Sequence, residues 1–289
     1  MRGLALLLAF ALALPAAARE RADRFSAMTY NIRLDLASDG DNAWPHRRSA
    51  VTALIAYHAP DLIGMQEVLL HQKQAVEADL PGYRFVGVAR DDGREQGEFS
   101  PLGFRHDRFA LVASGTFWLS PTPGIPSKGW DAALPRIASW ARLKDKRSRL
   151  TLLAVNTHFD HVGTEARLES ARQLRRWIGA NRRRGETVVL MGDFNSPIES
   201  PPHKAITDPA AGPDALHDTL AISRTPHFGP LGTFTGFKIE RNDPSPIDHI
   251  FVNKGTAVLR HATLTQQTGG KLPSDHYPVL ADLCVGEDC

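Results

Sequence analysis

Residues 150–195 read LTLLAVNTHFDHVGTEARLESARQLRRWIGANRRRGETVVLMGDFN. The stretch opens on an apolar run, Leu150–Thr157, and closes on a second, Val188–Met191. Between them, from Thr164 to Asn181, Leu168, Ala171, Leu174 and Ile178 recur at three- and four-residue spacing, which predicts a helix with one buried stripe. Arg167, Arg172, Arg175, Arg176, Arg182, Arg183 and Arg184 fill the other positions. They predict a solvated face whose cations complement the helix C-terminus before Gly185, in preference to a nucleic-acid groove. Both apolar runs end in polar residues, His158 after the first and Asp193 and Asn195 after the second.

The same grammar extends in both directions. Runs that alternate with period two, or are rich in Val, Phe and Trp, predict strands at Phe25–Ile32, Leu62–Met65, Arg84–Val88, Pro101–Phe104 and Phe109–Phe117. Others fall at Ala138–Leu143, His249–Val252, Ala257–Leu264 and Val279–Leu283. Two further helices are predicted, one from about Pro45 to Tyr57, with Pro45 in its first turn and Ala50, Val51, Leu54 and Ile55 on one side. The other runs from His71 to Leu80 and stops at Pro81-Gly82. No repeat or linker divides the chain, and strands outnumber helices along its whole length. That predicts one domain of stacked sheets with helices outside.

The chain is 42% hydrophobic and 23% charged, which excludes disordered and collagen-like classes. Thirty-four basic against thirty-two acidic residues give a net charge of +2. This excludes a generally basic nucleic-acid coat but leaves a local cationic cleft open. Arg2, the apolar run Leu4 to Leu14, Pro15 and Ala16-Ala17-Ala18 predict a signal peptide over 1–18, cleaved before Arg19. The run is too short to span a bilayer. The expected mature domain is 19–289, periplasmic or secreted, and loses Arg2 and no acid, leaving +1. Cys284 and Cys289 are the only cysteines. In an oxidising compartment they close a small loop; otherwise Cys284 is buried in the last strand and Cys289 is loose.

Polar residues punctuate six strand ends. Asn31 closes the first strand and Glu67 follows Leu-Ile-Gly-Met-Gln. His158 ends Leu-Ala-Val-Asn-Thr-His, and Asp193 and Asn195 end Val-Val-Leu-Met-Gly-Asp-Phe-Asn. Asp248 opens Ile-Asp-His-Ile-Phe-Val, and Asp275-His276 precede the last strand. Each alone reads as a cap or turn residue. Six together at the rims of buried strands point to a site.

In order, Tyr30-Asn31-Ile32, Gln66-Glu67, Thr157-His158, Gly192-Asp193-Phe194-Asn195, Ile247-Asp248 and Ser274-Asp275-His276 resemble the endonuclease/exonuclease/phosphatase superfamily, the pancreatic-deoxyribonuclease-like metallophosphoesterases. The blocks Gly97–Pro101, Gly129–Arg136 and Asn156–His161 are similar to a bacterial branch near the nocturnin-type deadenylases. The resemblance implies an α/β fold, a four-layer αββα sandwich of two packed mixed sheets flanked by helices. It implies a phosphoesterase using Mg²⁺ or Mn²⁺, with Glu67 as principal metal ligand, Asn31 supporting the metal or a phosphate oxygen, and Asp275 binding a second metal or its water. It also implies that Asp193 orients or deprotonates the attacking water and that Asn195 donates to the phosphoryl group. His276, held by Asp248, would sit against the phosphate, and His158 would stabilise the transition state or protonate the leaving oxygen.

Glu98, Trp130 and Arg136 are candidate substrate contacts in the loops around the metal. Arg136 would fork onto a second phosphate or carboxylate, and Trp130 would stack on a base or sugar. His158-x-Asp160-His161 also matches half of the dinuclear zinc hydrolase signature HxHxDH. However, its first histidine is replaced by Asn156, and the other motifs follow a different order. Period two puts Asp160 on the face of His158, where it would position that ring or touch substrate. The remaining ten histidines carry no motif and read as surface or core residues. The expected activity is hydrolysis of a phosphodiester by in-line attack of water. The alternatives are a phospholipid or sugar-phosphate phosphatase, or a silent binding protein on the same fold. Expected partners are a nucleotide, a small or single-stranded nucleic acid or a phospholipid, with the protein itself a monomer.

Overall fold

The structure, a computed structural model, describes residues 24–148, 150–212, 214–286 and 289. The expected signal peptide lies outside these. In chain order the first strands and helices are β1 (Arg24–Asn31), α1 (Trp44–His58), β2 (Leu62–Gln66), α2 (Leu70–Asp79), β3 (Tyr83–Val86), β4 (Leu102–Arg105), β5 (Phe109–Trp118) and β6 (Ile137–Asp145). Then come β7 (Thr151–His158), α3 (Thr164–Asn181), β8 (Thr187–Asp193), α4 (Pro201–Thr207), β9 (His217–Asp218), α5 (Thr219–Ile222), β10 (Asp248–Val252), β11 (Thr256–Thr263) and β12 (Val279–Val285). All eleven expected strands and the three expected helices are present, with ends shifted by one or two residues. The short α4, β9 and α5 carry too few residues for a periodicity to show.

The strands form two six-stranded mixed sheets, ordered β11-β12-β1-β2-β4-β3 and β5-β6-β7-β8-β10-β9. Strands β1 and β2 are parallel in the first and β7 and β8 in the second, while their neighbours run antiparallel. The sheets pack face to face, with α1 and α2 outside one and α3 outside the other. This is the αββα sandwich.

Alternation assigns each residue to a layer. On β8, Val189 and Met191 enter the layer between the sheets, while Val188 and Leu190 pack outward with Ala171, Leu174 and Ile178 of α3. Buried on both faces, β8 is therefore a nearly continuous apolar run. On β1, Phe25 and Ala27 point inward, and Met28 and Tyr30 point outward with Val51, Leu54 and Ile55 of α1.

Followed toward one end, the inner layer changes from apolar to polar. Gln66 donates to Thr29 Oγ1 at 3.0 Å and to Asn156 Oδ1 at 2.7 Å, and Asn156 donates to the carbonyls of Met65 and Pro101. Gly64 makes room for this bridge between sheets, since a Cβ there would lie 2.4 Å from Asn156 Oδ1. One step further along the same inward face come Asn31, His158, Asp193 and Asp248.

Two expectations change. Arg175 is not on a solvated face: at 7% exposure it donates to the carbonyls of Ala205, Asp208 and Gly212, fastening α4 and the turn after it to α3. Leu168 is half-buried, and Ala166 and Ser170 complete the stripe in its place. Of the two cysteine readings, the closed loop is found: Cys284 and Cys289 form a disulfide. Among the described residues no helix is long and apolar enough to cross a membrane.

Candidate active site

The polar end of the inner layer opens into a cavity of about 360 Å³. Its lining includes Glu67, Glu98, Arg136, His158, Asp193, Asn195, Asp275 and His276. Asn31 and Asp248 stand directly behind this wall. Concavities of about 480 and 550 Å³ elsewhere bring no comparable set of groups together. Ten of the eleven residues expected from the sequence therefore meet in one place. Trp130 does not: it is half-buried with a left-handed backbone (φ 52°) and is not among the lining residues.

At the base of the cavity, Nδ1 of His276 lies 2.8 Å from Asp248 Oδ2, and Nε2 lies 3.8 Å from Asp193 Oδ2. Burial disfavours a charged ring, but Asp248, Asp193 and Asp275 together raise His276 well above the ordinary imidazole range. These carboxylates favour the charged ring, and His276 lines the cavity. Burial and the adjacent Asp248 in turn push Asp193 up to about 7, against the lowering pull of His276 and of hydrogen bonds from Asn195 and Asn31. The Asp193 carboxylate accepts from the Asn195 amide at 2.9 Å and from Asn31 Nδ2 at 3.0 Å.

Asn31 Nδ2 also donates to Glu67 Oε1 at 3.0 Å, and Asn31 Oδ1 accepts from the Arg33 amide. Asn31 is thus a strut between Glu67 and Asp193, with one lone pair of Oδ1 still open. Glu67 itself has a left-handed backbone (φ 60°), as does Asn195 (φ 45°). Such non-glycine residues cluster at sites where the surroundings over-determine the chain. Ser274 Oγ donates to the Asn31 carbonyl at 2.7 Å and locks the Asp275–His276 loop onto the end of β1.

His158 Nε2 is 3.2 Å from Asn195 Nδ2, whose nitrogen also donates to the Phe159 carbonyl at 3.1 Å. The Phe159 contact fixes the amide's orientation, so His158 Nε2 is an acceptor and its proton sits on Nδ1. Burial and the nearby Arg136 and Arg90 hold His158 well below the ordinary range, so the ring is neutral. Its Nδ1 is buried and has no partner among the described residues. Both amide hydrogens of Asn195 are engaged. Asn195 therefore orients His158, and donating to a phosphoryl group requires one of these bonds to open.

Arg136, 4% exposed, gives Nε to Asp160 Oδ1 at 3.2 Å and Nη2 to His161 Nδ1 at 2.8 Å. The Nε side of the guanidinium is thus taken by Asp160 and His161, while Nη1 has no partner among the described residues. Asp160 touches Arg136 and the amides of Ala133, Val162 and Gly163, not His158. It knots the loop before β6 to the end of β7.

The carboxylates fit a hard divalent cation. Glu67 and Asp275 each lie 3.8 Å from Arg33, too far for its guanidinium to hydrogen-bond either. Burial and the neighbouring Glu67 raise Asp275, as burial and Asp248 raise Asp193. This is an excess of buried negative charge that a cation relieves. Sequence reasoning missed Arg33, Leu34, Leu134, His161, Phe234 and Ile247, all lining the cavity. Phe234 pairs with His276 through an isolated antiparallel bridge, their rings 5.0 Å apart. It sits in an irregular stretch with no periodicity to single it out.

The chain matches the Endonuclease/Exonuclease/phosphatase family over residues 28–276. It is similar to a solved endonuclease/exonuclease/phosphatase family protein from Bacteroides thetaiotaomicron at 36% identity and a TM-score of 0.86, covering 91% of this chain and 98% of the other. It is similar also to a mannosyl-6-phosphatase of the same organism at 37% identity and a TM-score of 0.84, covering 90% and 99%. The human nocturnin catalytic domain shares the fold at 20% identity and a TM-score of 0.69, covering 91% and 95%. An uncharacterized protein of Acanthamoeba polyphaga mimivirus is 23% identical over 83% of this chain, which spans 40% of that protein's length.

Proposed function

The chain belongs to the endonuclease/exonuclease/phosphatase family of phosphoester hydrolases, and on that premise we propose that it is an exported, Mg²⁺- or Mn²⁺-dependent phosphatase of a small phosphomonoester, a sugar phosphate. The observation that carries this is the cavity, about 360 Å³ and closed at its base by the His276–Asp248 pair. That volume is at the low end for ligand sites, roughly 300 to 1,000 Å³. It suits a compact ester with a terminal phosphate better than a chain threading through. The 37% identity to a mannosyl-6-phosphatase, end to end, favours a sugar monoester over the diester expected from sequence.

Glu67 and Asp275 would hold a divalent cation, which would supply positive charge to the phosphate and lower the pKa of water. The chain's own groups do the rest. The imidazolium of His276 places a fixed positive charge against the phosphoryl group. Asp193, with an affinity for protons near neutrality, accepts the proton of the attacking water as the new P–O bond forms and the ester P–O bond breaks. Asn31 holds Glu67 and Asp193 at a fixed separation. His158 presents Nδ1–H to the departing part of the substrate, and the departing alkoxide takes its proton from solvent.

The mature chain should be assayed with Mg²⁺, Mn²⁺ and EDTA against hexose 6-phosphates, p-nitrophenyl phosphate, bis-p-nitrophenyl phosphate, oligonucleotides and phospholipids. Monoester turnover lost on chelation is expected. Turnover confined to diesters overturns the monoester reading. Raising salt should change kcat/KM only slightly, since a duplex binder would lose affinity with a log–log slope near −0.9 per phosphate contact. Export is supported by the Leu4–Ala18 pattern and by the Cys284–Cys289 disulfide, a bond of oxidising compartments. Intact mass from a secreting host should begin at Arg19, and a full-length cytoplasmic species would sink this part.

A further inference from the structure

Beside the carboxylate cluster, one wall of the cavity holds charges that are already matched. Arg90 Nη2 lies 2.7 Å from Glu98 Oε1, and Arg136 Nε lies 3.2 Å from Asp160 Oδ1. Each guanidinium of this wall thus has its own carboxylate, leaving no spare cation. What it does carry is unused hydrogen-bonding capacity. Arg136 Nη1 and His158 Nδ1 are buried donors without a partner among the described residues. Glu98 Oε2 lies 3.8 Å from His158 Nδ1, beyond hydrogen-bond reach but near enough for one oxygen to bridge both. No hydrogen bond to that carboxylate oxygen occurs among the described residues.

A buried donor without a partner is costly unless something supplies the missing acceptor. A second phosphate would need a spare cation, and the wall has none. An apolar group, a lipid chain or the face of a base, would leave Arg136 Nη1, His158 Nδ1 and Glu98 Oε2 all unsatisfied. A hydroxyl is both donor and acceptor, and two neighbouring hydroxyls can receive from Arg136 Nη1 and His158 Nδ1 while donating to Glu98 Oε2.

We propose that Glu98, Arg136 and His158 form a subsite for the uncharged hydroxyls of the departing alcohol, with Glu98 as the residue that selects a polyol over nucleoside, lipid and bisphosphate esters. The proposal rests on the monoesterase reading above and goes further in naming how the alcohol is recognised. Arg90 holds Glu98 in place, and Asp160 does the same for Arg136.

The test is kinetic, on the mature chain with Mg²⁺. The quantity read is the ratio of kcat/KM for mannose 6-phosphate to that for p-nitrophenyl phosphate, whose alcohol carries no hydroxyls beyond the ester. Being internal, the ratio does not depend on how much of a variant is folded. Glu98→Gln should lower it by about 10- to 100-fold, the range for hydrogen bonds to a charged group. Arg136→Lys, a second route should the first variant not fold, should lower it as well. Millimolar free mannose should compete with p-nitrophenyl phosphate in the wild type and lose that effect in Glu98→Gln. An unchanged ratio in both variants overturns the subsite, as does a wild type preferring fructose 1,6-bisphosphate to hexose monophosphates. A wild type that cleaves bis-p-nitrophenyl phosphate and neither monoester overturns the function proposed above, a pattern distinct from failure of the subsite alone.

Discussion

Strand β10 begins with Asp248 and His249, neighbours equally buried at 2% exposure. Each belongs to a carboxylate–imidazole cluster, and the two clusters do opposite things. Asp248 points into the layer between the sheets and meets His276 at 2.8 Å; His249 points outward and meets Asp218 at 3.0 Å. In the outer cluster, Asp218 Oδ2 takes both His249 Nδ1 and His203 Nε2, and Asp218 Oδ1 takes the Leu220 amide. His249 Nε2 reaches the Ser196 carbonyl at 3.0 Å. That bond ties the segment following Asn195 to the second sheet. Despite burial, these partners hold Asp218 well below the carboxylate range and, with Asp218 and the Ser196 carbonyl, His249 above the ordinary imidazole range.

The inner cluster is less settled. Asp248 Oδ1 has no partner among the described residues, and Asp193 shares the same space as a second acid pushed up to about 7. In the outer cluster Asp218 and His249 are fully paired and brace the fold; in the inner one an acceptor is left open. One step along a strand separates the two, and His276 and Asp193 of the inner cluster line the cavity.

The largest effects should come from the inner cluster. Asp248→Asn or His276→Ala should each lower kcat by about 10³-fold, and the double variant should cost little more because the pair acts as a unit. Thermal melts should stay close to the wild type. Fully multiplicative losses would show two independent residues and dissolve the inner half of the comparison.

Next comes Asp218→Ala, which leaves two buried imidazoles without their carboxylate. It should destabilise the fold by about 3–5 kcal/mol in denaturant titration, with turnover per folded molecule within an order of magnitude of wild type. A large fall in kcat with unchanged stability would make the outer cluster catalytic.

The two clusters should also separate in pH. Asp218, depressed in the folded state, contributes stability that is present above the ordinary carboxylate pKa of about 4 and lost as pH falls below it. His249, raised, contributes stability that is complete below about 6.5 and lost as pH rises through its folded value. The outer brace is therefore strongest in mildly acid solution. Activity should follow Asp193 instead, rising with pH as it loses its proton, and Asp193→Asn should remove that limb from the kcat/KM profile. A single profile for stability and activity would merge what the structure separates.

The smallest effect is expected for His203→Asn. The one ring hydrogen bond of His203 among the described residues is to Asp218, and its Nδ1 has no partner there. Its loss should cost about 1 kcal/mol and leave kcat unchanged. A larger loss would indicate that His203, not His249, anchors Asp218.

Much of this was legible in the chain. Val188–Met191 alternates between two apolar layers, so its place in the middle of a sandwich could be read directly, and the polar residue ending each such run marked the rim. Glu67, Asp193 and His276 were found that way and through the resemblance their motifs carry. Phe234 could not be found, because nothing local in the segment between α5 and β10 points at a ring beside His276. Arg33 was missed because an arginine two residues past Asn31 has no period to betray it. Arg175 was misjudged because a sequence shows that a guanidinium is present but not which carbonyls consume its donors: Arg175 spends them on α4 and the turn after it.

The sequence by itself determined which residues are strand, which are helix and which strand ends carry chemistry, because those are local properties of spacing and side-chain type. It also determined the family, through six short motifs in order. Only the tertiary structure decided that His249, the residue after Asp248, turns outward to brace Asp218. It alone decided that His158 is neutral, that Cys284 meets Cys289, and that Glu98 and Arg136 face the cavity while Trp130 does not. Those outcomes depend on burial and on partners tens of residues away, and a charge or hydrogen bond in a low-dielectric interior is settled by what surrounds it.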